Sequence, residues 1–117
     1  MVYDLEERTA KFGESIIVLC KKIKQDTITR PLISQLVRSA TSIGANYMEA
    51  NGASSKKDFV NKIFICKKEA QETKHWLRML AGCTVGGGVE EEIRKLWQEC
   101  QELTLIFQKI AATSRKQ

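Results

Sequence analysis

This chain of 117 residues has a single proline and a single histidine. With one proline and seven glycines there are few obligatory breaks, and no sustained alternation of apolar and polar residues appears, which excludes a sheet protein and leaves a mostly helical one. The lone histidine, His75, has no evident partner for a nucleophile–base–orienter triad. No Gly-x-Gly-x-x-Gly or phosphate-cradling loop occurs, and Gly86-Gly-Gly88 lacks the preceding strand and following lysine that a phosphate loop requires. No apolar run of signal-peptide type precedes Tyr3, and no stretch approaches the roughly 18 uninterrupted apolar residues of a membrane span. A soluble, cytoplasmic protein with no membrane partner is therefore expected. Cys20, Cys66, Cys83 and Cys100 stand singly, without Cys-x-x-Cys spacing, which excludes the usual zinc and thioredoxin-like patterns. They are expected to be small buried hydrophobes in a reducing compartment, with Cys83 in a loop and the most open to reaction.

Residues Leu5, Thr9, Phe12, Ile16, Leu19 and Ile23 alternate four and three apart, the spacing that keeps side chains on one helix face in a left-handed bundle. A first helix is predicted over about 4–25, with Asp4 as N-cap, Glu6 and Glu7 at the positive end of its dipole and Lys21, Lys22 and Lys24 at the negative end. After a turn at 26–30, Pro31 opens a second helix at its first position, capped by Thr29 or Arg30. Its inner stripe is Ile33 or Leu36, then Ala40, Ile43, Tyr47 and Ala50, and it closes at about 51 with Asn51-Gly52, a pair tolerant of left-handed geometry. Ser39, Ala40, Ser42, Gly44 and Ala45 allow a neighbouring backbone to approach, and Gly44 in mid-helix costs about 1 kcal/mol relative to alanine, which implies a packing reason.

Ser55-Lys-Lys-Asp58 is a capping box with aspartate in place of glutamate, and it opens a third helix over about 56–81 with the stripe Phe59, Ile63, Cys66, Ala70, Thr73, Leu77 and Leu80, ending at Gly82. Residues 84–88 form a flexible connection. Glu90, Glu91 and Glu92 then occupy the first turn of a fourth helix over about 89–113, with Ile93, Leu96, Cys100, Leu103, Phe107 and Ile110 inside and a frayed tail from Thr113 onward. Four stripes of similar length with short connections define the expected fold class: all-α, an antiparallel up-down-up-down four-helix bundle in a single domain over 1–117. A helix-swapped dimer satisfies the same pattern.

Charge is unevenly spread. Between Pro31 and Ser55 only Arg38 and Glu49 are charged, in a chain that is 28% charged, so the second helix is expected to be covered on more than one side, by its own bundle and by another subunit. Arg38, Ser42, Ala45, Asn46 and Glu49 form a polar line beside its core stripe, facing Lys62, Glu69, Glu72, Thr73 and Trp76 of the third helix. Arg38 with Glu69 or Glu72, and Asn46 or Glu49 with Lys62 or Lys67, are expected to form a semi-buried network that sets helix register and is structural rather than catalytic. Glu72 and His75 have the Glu-x-x-His spacing of carboxylate-bridged di-iron bundles, but that centre needs two such motifs and two further inward glutamates, and the inner stripe here passes through Thr73. No metal, no cofactor and no enzymatic activity are expected.

The net charge is +5 and the pI about 9.1, with the surplus at Lys21, Lys22 and Lys24, along the third helix at Lys56, Lys57, Lys62, Lys67, Lys68, Lys74 and Arg78, and at Arg115-Lys116. The lysines of the first and third helices together with Arg78 are candidate contacts to RNA or DNA phosphate. Solvated helix faces also carry such lysines.

Asp4-Leu-Glu-x-Arg-Thr9 with Phe12, Arg38-Ser-Ala-x-Ser-Ile-Gly-Ala-Asn-Tyr-x-Glu-Ala50, Asp58-Phe59 with Lys62, and Lys68-Glu-Ala-x-Glu-Thr73 with Trp76-Leu77 and Leu80 resemble the bacterial four-helix bundle proteins encoded in intervening sequences of 23S ribosomal RNA genes. The resemblance spans nearly the whole chain and is most specific from Arg38 to Leu80. Proteins related to that family include the accessory variability determinant of diversity-generating retroelements, a basic ring-shaped homopentamer that associates with reverse transcriptase and nucleic acid. The resemblance implies a cytoplasmic, non-enzymatic homo-oligomer, pentameric, with a basic surface for RNA or DNA and a reverse transcriptase among its partners. Two functional expectations follow: a nucleic-acid-associated accessory or scaffold protein, or a protein–protein interaction adaptor in which the charge-sparse second helix and aromatics such as Trp97 dock a partner.

Overall fold

A computed structural model of the chain describes residues 4–116, and the side chains of 4–115. Its elements are α1 (Leu5–Lys21), α2 (Thr29–Asn51), α3 (Lys56–Cys83) and α4 (Glu90–Lys116), with no strand among the described residues. They form an all-α four-helix bundle 48 Å long and 23 × 20 Å across. Each helix packs on the next, and α4 returns more lightly against α1. Along every seam the numbering runs in opposite directions: Thr9 meets Gly44 and Gly13 meets Thr41, Arg38 meets Glu69 and Glu49 meets Lys62, Phe64 meets Arg115 and Ala70 meets Cys100, and Arg8 meets Glu99 and Lys22 meets Glu92. All four seams are therefore antiparallel, the up-down-up-down arrangement that short connections impose.

The predicted stripes are the core. Ile16, Leu19, Leu36, Ile43, Ile63, Leu77, Leu80, Leu103 and Phe107 are fully buried, with Cys66, Ala70 and Cys100 filling the narrow places between them. Phe59 and Tyr47 sit at the edge of the core instead of inside it. In α4 the inner position after Phe107 is Ala111, while Ile110 is half-buried. A straight helix drifts away from a seven-residue repeat, so late positions shift by one.

Several boundaries differ from the sequence expectation, two of them through local hydrogen bonds. α1 stops at Lys21, four residues short, because Lys22 N–H and Ile23 N–H donate to the Leu19 and Cys20 carbonyls and tighten the last turn. Asp4 does not cap α1 with its side chain; it adopts left-handed geometry (φ 47°) and makes no side-chain cap bond. α2 begins at Thr29, so Pro31 is its third residue and not its first. The cause is Asp26, whose carboxylate accepts from both Ile28 N–H and Thr29 N–H at 2.8 Å, and those bonds hold it below the usual carboxylate range. At the other end Gly52 (φ −96°) closes α2 without left-handed geometry, its N–H donating to Met48 and Glu49. α3 runs through Gly82 to Cys83, which is an exposed helical residue and not a loop residue. Ser55 caps α3 by accepting from Asp58 N–H at 3.0 Å. The left-handed glycines are Gly86 and Gly88 in the α3–α4 connection (φ 80° and 79°), where the chain reverses. α4 continues to Lys116 instead of fraying at 113, and Arg115 lies 4.9 Å from the centre of the Phe64 ring; Gln117 falls outside the described residues.

Gly44 has the packing reason its position implied. A Cβ there would lie 3.2 Å from Thr9 Oγ1, whose hydroxyl is committed to the Leu5 carbonyl at 2.6 Å. Gly82, by contrast, has open space around the same position. Replacing Gly44 by leucine should therefore overpack the α1–α2 seam and destabilise by about 1–3 kcal/mol. Gly82→Ala should instead stabilise by about 0.5–1 kcal/mol through helix propensity. Urea midpoints of the two variants moving in the same direction would contradict this account of the seam.

Candidate nucleic-acid interface

The polar flanks of the helices meet across the seams. Between α2 and α3, the Arg38 guanidinium reaches Glu69 at 3.3 Å, Gln35 at 3.0 Å, and Glu72. The Glu69 side chain is only 12% exposed against 45% for Arg38, so Glu69 depends on this pairing more than its partner does. Thr73 Oγ1 lies 2.9 Å from Ser39 Oγ in the dry part of the same seam. Further along, Lys62 donates to Glu49 at 2.7 Å, a bond that raises the lysine pKa. Asn46 does not join this network, because its amide donates to Ser42 O on its own helix at 2.8 Å. Lys67 does not take part either, since it lies two turns before Lys74 on the flank of α3 that faces α4.

Glu72 also accepts from Trp76 Nε1 at 3.1 Å, and the His75 ring packs edge-on to Trp76. Among the described residues no group of three or more His, Cys, Asp or Glu side chains is placed to hold a metal. Burial pushes the Cys20 thiol up to about 11 and those of Cys66 and Cys100 up to about 12. These thiols are held away from the reactive thiolate form, whereas Cys83 is exposed.

The α1–α4 seam carries a pairing that sequence reasoning missed. Arg8 donates to Glu99 through two nitrogens at 2.7 and 2.8 Å and to Glu102 at 3.2 Å; the Glu99 bond raises the arginine pKa further. Lys22 donates to Glu92 at 2.9 Å. Arg8 precedes a core residue by one position, as do Glu99 and Glu102, but their meeting depends on the offset between helices more than 90 residues apart, with separations of 91 and 94.

These pairings sort the charges of α3 and α4. Glu69 and Glu72 turn toward α2, and Glu92, Glu99 and Glu102 turn toward α1. The remaining carboxylates of the two helices, Asp58, Glu90 and Glu91, lie in first turns. Between those ends the α3–α4 face presents Lys67, Lys74 and Arg78 with the aromatic rings of Phe64 and Trp97, while Lys68, about 120° around α3 from Lys74, lies on the outer flank one turn before Glu72. Lys74 Nζ bonds Gln101 at 2.5 Å and stands 5.3 Å from the centre of the Trp97 ring. Beside Trp97 a cleft of about 270 Å³ is lined by Leu77, Arg78, Ala81, Glu90, Ile93 and Arg94.

The other basic candidates lie elsewhere. Lys56 and Lys57 occupy the first turn of α3 at the opposite end of the bundle, and Lys62 and Lys22 are paired with glutamates. Lys21 is in the last turn of α1, and Lys24 lines a hollow near the α3–α4 connection with Lys22 and Asp26. A single basic stripe running the length of α3 is thus replaced by one cation cluster and two isolated groups.

Fold and seams together define a small all-α bundle protein whose helices are locked by antiparallel ion pairs and whose α3–α4 face is cationic. The chain belongs to the 23S rRNA-intervening sequence protein family, whose model matches residues 3–109. It is also similar to a crystal structure of a protein of unknown function from the S23 ribosomal protein family of Bacteroides thetaiotaomicron VPI-5482. That match has a TM-score of 0.79 and 31% identity, and covers 91% of this chain and 96% of the other. No curated protein matches.

The Arg38 cluster generates a test. Arg38→Ala should cost about 1–3 kcal/mol by leaving Glu69 under-paired, and most of that loss should return in an Arg38→Met/Glu69→Leu double variant. A single variant with the wild-type urea midpoint would show that the cluster contributes nothing to stability.

Proposed function

We propose that this protein is a non-enzymatic, self-associating bundle that acts as an accessory or scaffold for nucleic acid, holding phosphate on the α3–α4 face. The observation that carries this reading is the turning of glutamates into the α2 and α1 seams, which leaves Lys67, Lys74 and Arg78 without carboxylates among them. A net charge of +5 points the same way. The family description refers to 23S rRNA, which makes RNA the first polymer to test.

Self-association is supported by the opposite side of the molecule. There, α1 and α2 form a groove of about 350 Å³ whose lining includes Ala10, Gly13, Ile17, Thr41, Ala45 and Met48. Met48 is 61% exposed and Ile17 38%, on a side where α2 has only two charges between Pro31 and Ser55. In this reading the groove packs against other copies in a ring, with a homopentamer as the expected form. The proposal extends to a relation with the accessory protein of diversity-generating retroelements, a reverse transcriptase partner and a cytoplasmic location. No helix among the described residues is long and apolar enough to cross a membrane. The same groove supports a second reading, a protein-interaction adaptor whose cationic face is only solvated.

Fluorescence anisotropy with labelled RNA and DNA should show affinity falling steeply between about 50 and 200 mM salt. Replacing Lys67 and Arg78 together by alanine should flatten the log–log slope by about 0.7–0.9 for each phosphate that is no longer neutralised. No binding at low salt would overturn the nucleic-acid reading and favour the adaptor. In parallel, a monomer mass by light scattering would remove the ring.

A further inference from the structure

We infer that the Trp97 cleft is a subsite for one unstacked base of a single-stranded nucleic acid, an inference that rests on the phosphate-binding reading of the α3–α4 face. The indole is half-buried and lies between two different environments along α4. Toward Gln101, one turn later, Lys74 Nζ stands 5.3 Å from the ring centre and is tethered by its 2.5 Å bond to Gln101. Toward Arg94, about one turn earlier, the ring borders the cleft of about 270 Å³. The floor of that cleft is apolar, with Leu77 fully buried and Ile93 nearly so. Arg78 and Arg94 stand at its rim. A planar aromatic wall, an apolar floor and cations at the rim match a base and its flanking phosphates, because every base has a face that stacks on indole and a phosphate on each side.

Charge complementarity selects this occupant over a neutral apolar one. Arg78 enters no salt bridge among the described residues, and Lys74 and Lys67 continue the cation line away from the cleft. Glu90 lines the cleft too, but its carboxylate is turned to the preceding connection and accepts from Gly86 N–H at 3.0 Å. Arg94 is bonded to Glu91 at 2.5 Å, so Arg78 is the rim cation with unspent charge. A duplex keeps its base faces stacked inside and would meet only the cations. The cleft therefore favours single strands, RNA and DNA alike, since stacking does not read the sugar.

The test uses the full chain in a Trp76→Phe background, so that Trp97 is the sole tryptophan and its fluorescence reports stacking directly. The probes are a 12-nucleotide oligouridylate, the matching oligothymidylate, and a duplex of equal charge. Both single strands should quench Trp97, and the duplex should bind without quenching. Trp97→Leu keeps apolar bulk without an aromatic face and should weaken single-strand binding by about 5- to 150-fold, whereas Trp97→Phe should retain most of it. Salt-steep binding of single strands with no quenching, and equal affinities for the leucine and phenylalanine variants, would overturn the base subsite while leaving the phosphate face intact. No binding of any probe at low salt would overturn the phosphate reading and this inference with it.

Discussion

Burying four apolar stripes in one seam decides which polar flanks of the helices must face each other, and the rest of the molecule follows from those meetings. The driving term is removal of large apolar side chains from water, with Ile16, Leu36, Leu77 and Phe107 among those completely enclosed. Once the stripes point inward, each helix has a flank on either side that borders a neighbour. A charge on such a flank is partly desolvated and needs an opposite charge across the seam. Arg8 with Glu99, Arg38 with Glu69, and Lys62 with Glu49 meet that need. They add direction to a core whose apolar packing alone is non-directional.

The same sorting gives the bundle two unlike sides. Carboxylates drawn into the seams are lost from the outer surface, so the α3–α4 face becomes cationic although α4 itself is nearly balanced in charge. On the α1–α2 side, α2 is poor in charge and rich in small residues, Glu6 and Glu14 of α1 border the groove, and the helices come so close that a methyl group on Gly44 would stand only 3.2 Å from Thr9 Oγ1. In the proposed function the first side holds a polyanion and the second packs against other copies of the chain.

Helix identity, the inner stripes and the all-α class were legible in the sequence, because 3.6-residue periodicity is a property of each segment taken alone. Helix ends were less legible. They depend on single hydrogen bonds such as those Asp26 makes to Ile28 and Thr29, and competing caps three or four residues apart look alike in a sequence. For the candidate site, the Arg38–Glu69–Glu72 cluster and the Glu49–Lys62 pair were visible as facing polar lines, whereas Asn46, the alternative to Glu49, stays out because an amide on that flank can satisfy itself on its own helix. Arg8 was missed, and the supposed basic stripe along α3 proved to be divided among several surfaces.

The sequence by itself therefore determined four amphipathic helices, their order, four singly spaced cysteines and an excess of positive charge. Tertiary structure alone decided where that charge lies. A helix has flanks from its first turn, but whether Lys67 and Lys62 look toward the same neighbour or opposite ones depends on rotation and axial offset between helices packed from distant parts of the chain. Those two quantities are set by the shared core and by pairs such as Arg8–Glu99, whose partners are 91 residues apart, and no local pattern encodes them.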